Sequence, residues 1–246
     1  MKVSEIHKTF KVMMDKNAEA VAFGGCPAFL PEEIDLFLNQ AYVEVICNKY
    51  TGTNTLRVPF EGTVKRIQDL EGLVKTDKGI AIDIDGSNAL VVDELLNVGI
   101  YNSTDKKNTT SENNKMFFVS AVLHWNKKNT DGKTPSAATV IMIDHETSDR
   151  FLYTHNNSPW IPTPVATIAD NKLTVFIDPD MADYTFTIDI TYVKYPEKIN
   201  NKSDNDITEV PDRVLYEVIN RAVLIALENI ESKRTETKIN LNNLQE

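Results

Sequence analysis

The sequence predicts an α+β protein: a helical bundle formed by N-terminal and C-terminal helices, with a β-rich insertion between them. Three observations predict it. Two long stretches, Pro31–Tyr50 and Pro211–Arg234, repeat apolar residues at three- and four-residue steps, the mark of a helix face. Between them the period falls to two, most strictly over Tyr184–Val193, the mark of half-buried strands. The order is helices, then strands, then one helix, so the simplest packing returns the last helix to the first two. Residues 1–76 are then the N-terminal helical part of the core, 77–200 the β-rich insertion, 207–234 the C-terminal core helix and 235–246 a flexible tail.

In chain order, Val3, Ile6, Phe10, Met13 and Met14 fit an amphipathic helix of about four turns. Ala20–Leu30 contains Gly24, Gly25 and Pro27 and reads as a loop. The Gly24-Gly25 pair has no lysine-serine partner and no preceding strand, so it does not read as a phosphate cradle. Pro31, Glu32 and Glu33 open the second helix, whose stripe is Ile34, Phe37, Leu38, Ala41, Tyr42, Val45 and Ile46. Thr63–Lys75 reads as a third helix, with Val64, Ile67, Leu70 and Val74 aligned and Gly62 and Gly72 weakening it.

From Gly79 the pattern becomes strand-like. Ile80, Ile82 and Ile84 alternate with Ala81, Asp83 and Asp85; Phe117–Trp125 and Ala138–Ile143 are apolar, β-branched and aromatic runs. Leu173–Ile177 and Tyr184–Val193 are expected to form a hairpin turned by Asp178-Pro179-Asp180. Ser158–Pro164 reads as an extended connector, and Asn200–Asp206 as a turn-forming loop. In the last helix, Leu215, Val218, Ile219, Ala222, Ala226 and Ile230 make one face, and Val214, Val223, Leu224, Ile225 and Leu227 widen the band well beyond it. Such a helix is buried on several sides, by the rest of the chain or by a neighbouring subunit. Leu224 and Leu227 are therefore interface candidates. So are Ile239, Leu241 and Leu244, apolar residues in an otherwise polar tail, where Ile239 and Leu241 have the spacing of a strand that adds to a neighbour's sheet edge.

Composition narrows the function. A net charge of −10 and a pI near 5.0 argue against a broad nucleic-acid footprint, which needs a basic face. Cys26 and Cys47 lack metal-ligand spacing and read as reduced thiols in an intracellular product. No apolar run approaches the ~20 residues of a membrane span. The start of the sequence carries no apolar signal core, so no secretion signal is expected.

No pattern of residues assembles an active site. Asp83-x-Asp85-Gly86 with Glu94 is like a calcium loop, but Asn88 stands where the sharp turn needs glycine. Asp178, Asp180 and Asp183 read as a hairpin turn around Pro179. His145-Glu146 and His155 are ten residues apart, not the one helical turn that zinc proteases use. His124 reads as an ordinary strand histidine. No nucleophile elbow is present, and the many acids cannot be paired across a cleft from sequence. A binding or structural protein without cofactor or metal is expected, not an enzyme.

Two segments carry a family resemblance. L-P-E-E-I-D-L-F-L-N-Q-A-Y-V-E, Leu30–Glu44, resembles the helix near the start of head-to-tail connector proteins of tailed phages. I-T-Y-V-K-Y-P-E-K-I, Ile190–Ile199, followed by V-P-D-R-V-L-Y-E-V-I-N-R-A-V-L-I-A-L-E, Val210–Glu228, is similar to the closing strand and helix of the same proteins. The specific likeness is to neck and tail ring proteins of crAss-like phages, and it covers roughly a third of the chain; Asp77–Pro164 has no match in it. The resemblance implies a virion protein made in the bacterial host cytoplasm: a homo-oligomeric ring, commonly of twelve copies, stacked between portal and tail. Its partners would be further copies and the neighbouring portal, ring or tail proteins, with DNA passing through unread. One departure is that Arg213 follows Pro211-Asp212 where that motif often has histidine, so the place in the ring stack stays open. The rival expectations are another tail-hub, cargo or baseplate protein and, from a different class, a carboxylate-based glycan hydrolase.

Overall fold

In a computed structural model, the structure describes residues 1–17, 29–52, 59–82, 89–92, 115–127, 136–148, 163–169, 172–177, 184–203 and 205–229. The fold is α+β. The chain divides into two units, one of Met1–Leu73 with Tyr195–Glu246 and one of Val74–Lys194. These bounds sit three residues before and six before the boundaries expected at 76/77 and 200.

The first unit is helical. α1 (Val3–Asn17) buries Val3, Ile6, Phe10 and Met14 on the expected stripe. α2 (Pro31–Thr51) buries Ile34, Leu38, Ala41, Tyr42, Val45 and Ile46. Its start is fixed by Pro31 and by Glu33, whose carboxylate accepts from the Leu30 N–H at 2.8 Å. Its end is fixed by Gly52 at φ 75°, the left-handed position that glycine tolerates best. The last helix, α4 (Asp212–Asn229), packs against both α1 and α2. The two ends of the chain are also tied by backbone: the Val3 N–H donates to the Asn205 carbonyl and the Ile207 N–H to the Met1 carbonyl.

The third helix is shorter than its sequence suggested. α3 covers only Val64–Leu70, a 3-10 turn follows over Glu71–Leu73, and strand begins at Val74. Of its expected stripe, Leu70 is buried but Val64 and Ile67 are not. Val64 and Ile67 are exposed, while Arg66, Asp69, Leu70 and Leu73 are buried. The reason is polar: Asp69 faces Lys49 and Arg213, so that face turns inward. Gly72 ends the helical path where the backbone is pressed on Glu209, since a Cβ there would stand 2.0 Å from the Glu209 carbonyl oxygen.

The second unit is two four-stranded sheets. One has the order β1-β8-β3-β4, the other β2-β7-β6-β5. The strands are β1 (Val74–Ile82), β2 (Ala89–Val92), β3 (Lys115–Lys127), β4 (Ser136–Thr139), β5 (Ile141–Met142), β6 (Val165–Ala169), β7 (Lys172–Phe176) and β8 (Tyr184–Lys194). All pairs are antiparallel except β5 with β6. Ile82, Leu123, Phe186 and Ile188 of the first sheet and Leu90, Ala166, Leu173 and Val175 of the second share one core. The alternation of β8 places Phe186, Ile188 and Ile190 in that core, with Tyr184 and Tyr192 partly packed on it.

Two expectations fail here. Leu173–Ile177 and Tyr184–Val193 are not a hairpin: β7 pairs with β2 and β6, whereas β8 pairs with β1 and β3. Each strand has a partner of better length in its own sheet, and both aim apolar residues at the shared core. Ala138–Ile143 is not one strand either. The run leaves β3 at Thr139 and joins β6 at Ile141, with Val140 buried at the crossing.

Candidate functional site

Leu224 and Leu227 need correction as interface candidates. They are 1% and 0% exposed, and every residue from Ala222 to Leu227 is buried. From Val214 to Leu227 the apolar band of α4 is thus filled within the chain's own fold, and these two side chains offer no surface to a neighbour. Ile239, Leu241 and Leu244 lie outside the described residues, as do the Asp83–Asp85 and Asp178–Asp183 acids, His155 and Cys26. Among the described residues no group of three metal-ligating side chains meets. Among them, too, no helix is long and apolar enough to cross a membrane.

What the helical unit does hold is a charged cluster inside its core. Lys49 Nζ of α2 lies 3.1 Å from Asp69 Oδ2 of α3 and 2.6 Å from Glu217 Oε2 of α4. Asp69 Oδ1 receives Arg213 Nε at 2.6 Å. Lys49 and Asp69 are 3% and 0% exposed, so each charge must be met by a partner in place. One turn beyond Glu217 on α4, Arg221 Nε donates to Glu44 Oε2 at 2.6 Å. The cluster therefore fixes the relative register of α2, α3 and α4. Arg213 is one of its cations. Lys49 and Asp69 carried no signal in the sequence, because a lysine near a helix end and an aspartate in a polar segment both read as solvent-facing.

A second polar group sits between α1 and α2. His7 Nε2 donates to Asp35 Oδ1 at 2.7 Å, and the other Asp35 oxygen accepts the Asn201 N–H at 3.1 Å. Asn39 clasps the Ile199 backbone with both ends of its amide, at 2.8 and 2.9 Å. Beside His7 lies an open groove of about 380 Å³, lined by Ser4, Lys8, Lys11, Val12, Pro31 and Asn201. Lys8 and Lys11 make its rim basic.

In the β unit, His124 Nε2 donates to Asp189 at 3.1 Å, and the Gly79 N–H donates to the same carboxylate at 2.7 Å. The Gly79 bond is the main cause that holds Asp189 below the usual carboxylate range; burial acts against it and His124 reinforces it. Asp77 accepts from the Tyr192 hydroxyl at 3.1 Å and pairs with Lys115 at 2.9 Å. Lys115 also lies 5.0 Å above the Tyr192 ring. Burial first, then Asp77, pushes the Tyr192 phenol up to about 12. His145 is fully explained as a donor to the Ile168 carbonyl at 2.7 Å. These histidines are held as structural donors, each on its own acceptor.

No family model matches the chain, and no curated protein sequence matches it.

Proposed function

We propose that the chain is a non-enzymatic virion protein of a tailed phage, a subunit of a head-to-tail connector ring between portal and tail. One observation carries this reading. Leu30–Glu44 and Val210–Glu228, the helical parts of the two segments that resemble connector proteins, are far apart in sequence, and they fall on α2 and α4, which pack against each other. The helical bundle with a β-rich insertion that the resemblance implies is compatible with a first unit drawn from both chain ends and a second, Val74–Lys194, drawn from the middle. A net charge of −10 suits a protein past which DNA must slide, because each lysine or arginine on a phosphate adds affinity that must then be broken.

The test is purification of the particle from infected cells. The expected result is that the chain co-purifies at a low, fixed copy number and occupies the neck in a reconstruction. Its absence from particles, or turnover of a glycan by the purified protein with loss on substituting one carboxylate, would overturn the reading in favour of a hydrolase.

A further inference from the structure

The sheet edges of the β unit are guarded unevenly. An edge strand presents unpaired N–H and C=O groups, and proteins blunt it with charges, proline, bulges or cover. β1, an edge of the first sheet, carries Lys75, Asp77 and Lys78, and its register slips between Asp77 and Ile80. Among the described residues, the opposite side carries no charge, proline or bulge of this kind. There a single run, Ser136–Met142, supplies one edge of each sheet, as β4 and then β5. Its sequence, S-A-A-T-V-I-M, has no charge, proline or glycine. Ile141 and Met142 are 49% and 39% exposed. The N–H groups of Ile141 and Ile143 donate to the Pro164 and Ala166 carbonyls of the β6 side, so the alternation turns the Met142 N–H and C=O outward.

Among the described strands, the far edge of the same sheet is β2, A-L-V-V, equally free of charge and proline. Strand directions connect the two edges. β2 is antiparallel to β7, β7 is antiparallel to β6, and β6 is parallel to β5, so β2 and β5 run the same way. A second copy placed alongside by a head-to-tail step brings its β2 parallel to this β5. We propose that the β5 edge of one subunit pairs with the β2 edge of the next copy of this chain, so that the second sheet runs on from subunit to subunit.

This rests on the ring reading and supplies its lateral contact. The sheet itself supplies both halves of the joint, and neither buries a charge on pairing. A contact between two different surfaces of the same chain closes into a ring when the rotation allows. Twofold pairing of β5 with β5 would be antiparallel and would stop at dimers. Four strands at ~4.8 Å advance about 19 Å per subunit, so twelve copies would give a ring about 70 Å across before strand tilt widens it.

The test is cysteine cross-linking of the full chain in particles. In a Cys26→Ser, Cys47→Ser background, Met142→Cys is combined with Val91→Cys or with Val92→Cys, covering both neighbouring registers. Oxidation is expected to give a covalent ladder extending past dimers in a double variant and none in the single variants. A dimer from Met142→Cys alone overturns the proposal in favour of twofold pairing. A neck ring that contains the chain but gives no ladder overturns the edge pairing and leaves the virion role standing. If the chain is absent from particles, the virion role fails, and the same oxidation of concentrated purified protein decides the edge pairing. As a second arm, Met142→Lys places a guarding charge on an exposed side chain. Thermal stability is expected to stay at the parent value while incorporation into particles falls at least tenfold; normal incorporation overturns the proposal.

Discussion

Asp69 has no exposed surface, yet it carries a charge and holds two cations. Removing it strands Lys49 in the core with only Glu217 to meet it. Asp69→Ala is therefore expected to cost about 3–5 kcal/mol, read as a lower urea midpoint at unchanged slope. A loss below about 1 kcal/mol would mean that water reaches the cluster. Gly72 makes a sharper case, because the atom that an added Cβ would meet is backbone and has nowhere to rotate. Gly72→Ala is expected to destabilise by about 2–3 kcal/mol or more, checked by the same titration. Tyr192 gives a pH signature. Its phenol ionises near 12 in the fold against about 10 when unfolded, so the folded state holds the proton more tightly. The stability this contributes is complete below pH 10 and is lost as pH rises from 10 through 12. Tyr192→Phe should flatten the fall in melting temperature over that window, and an unchanged alkaline profile would contradict the assignment.

At the scale of elements, α1, α2, α4 and β8 were legible because each repeats a single period over many residues. The apolar band of α4 from Val214 to Leu227 reads correctly as burial; what period alone does not reveal is which molecule supplies the cover. Leu224 now separates the two answers. Leu224→Ala should lower the melting temperature of isolated protein, at a cost of about 2–5 kcal/mol, and a variant that melts like the parent would return Leu224 to the list of contact residues. α3 was misread for a different reason. Two apolar residues, Val64 and Ile67, outweighed the polar ones in the pattern, whereas the fold turns Asp69 inward because its partners come from residues 49 and 213. Long-range pairing of this kind leaves no local trace. The mistaken hairpin has the same origin: an apolar alternation marks a strand's core face but does not say which sheet it joins. The switch of Ser136–Met142 between sheets is equally silent in sequence, since every residue of the run before Met142 is simply β-branched or small.

At the scale of the molecule, the interrupted helical unit follows from sequence order plus one assumption, that the last helix returns to the first two. Its packing against α1 and α2 satisfies that assumption. The candidate surfaces were less accessible to reading, because a ring contact needs neither a catalytic spacing nor a metal pattern; it needs only an edge or face whose neutrality appears once the strands are ordered. The proposed function makes the chain one of many equivalent copies, and rotational symmetry is its most direct consequence. The measurement is a reconstruction of the particle neck without imposed symmetry. The account predicts a closed ring of this chain on the particle axis, with the β5 edge of each copy against the β2 edge of the next. An isolated copy, a twofold dimer or no density for the chain at the neck would contradict it.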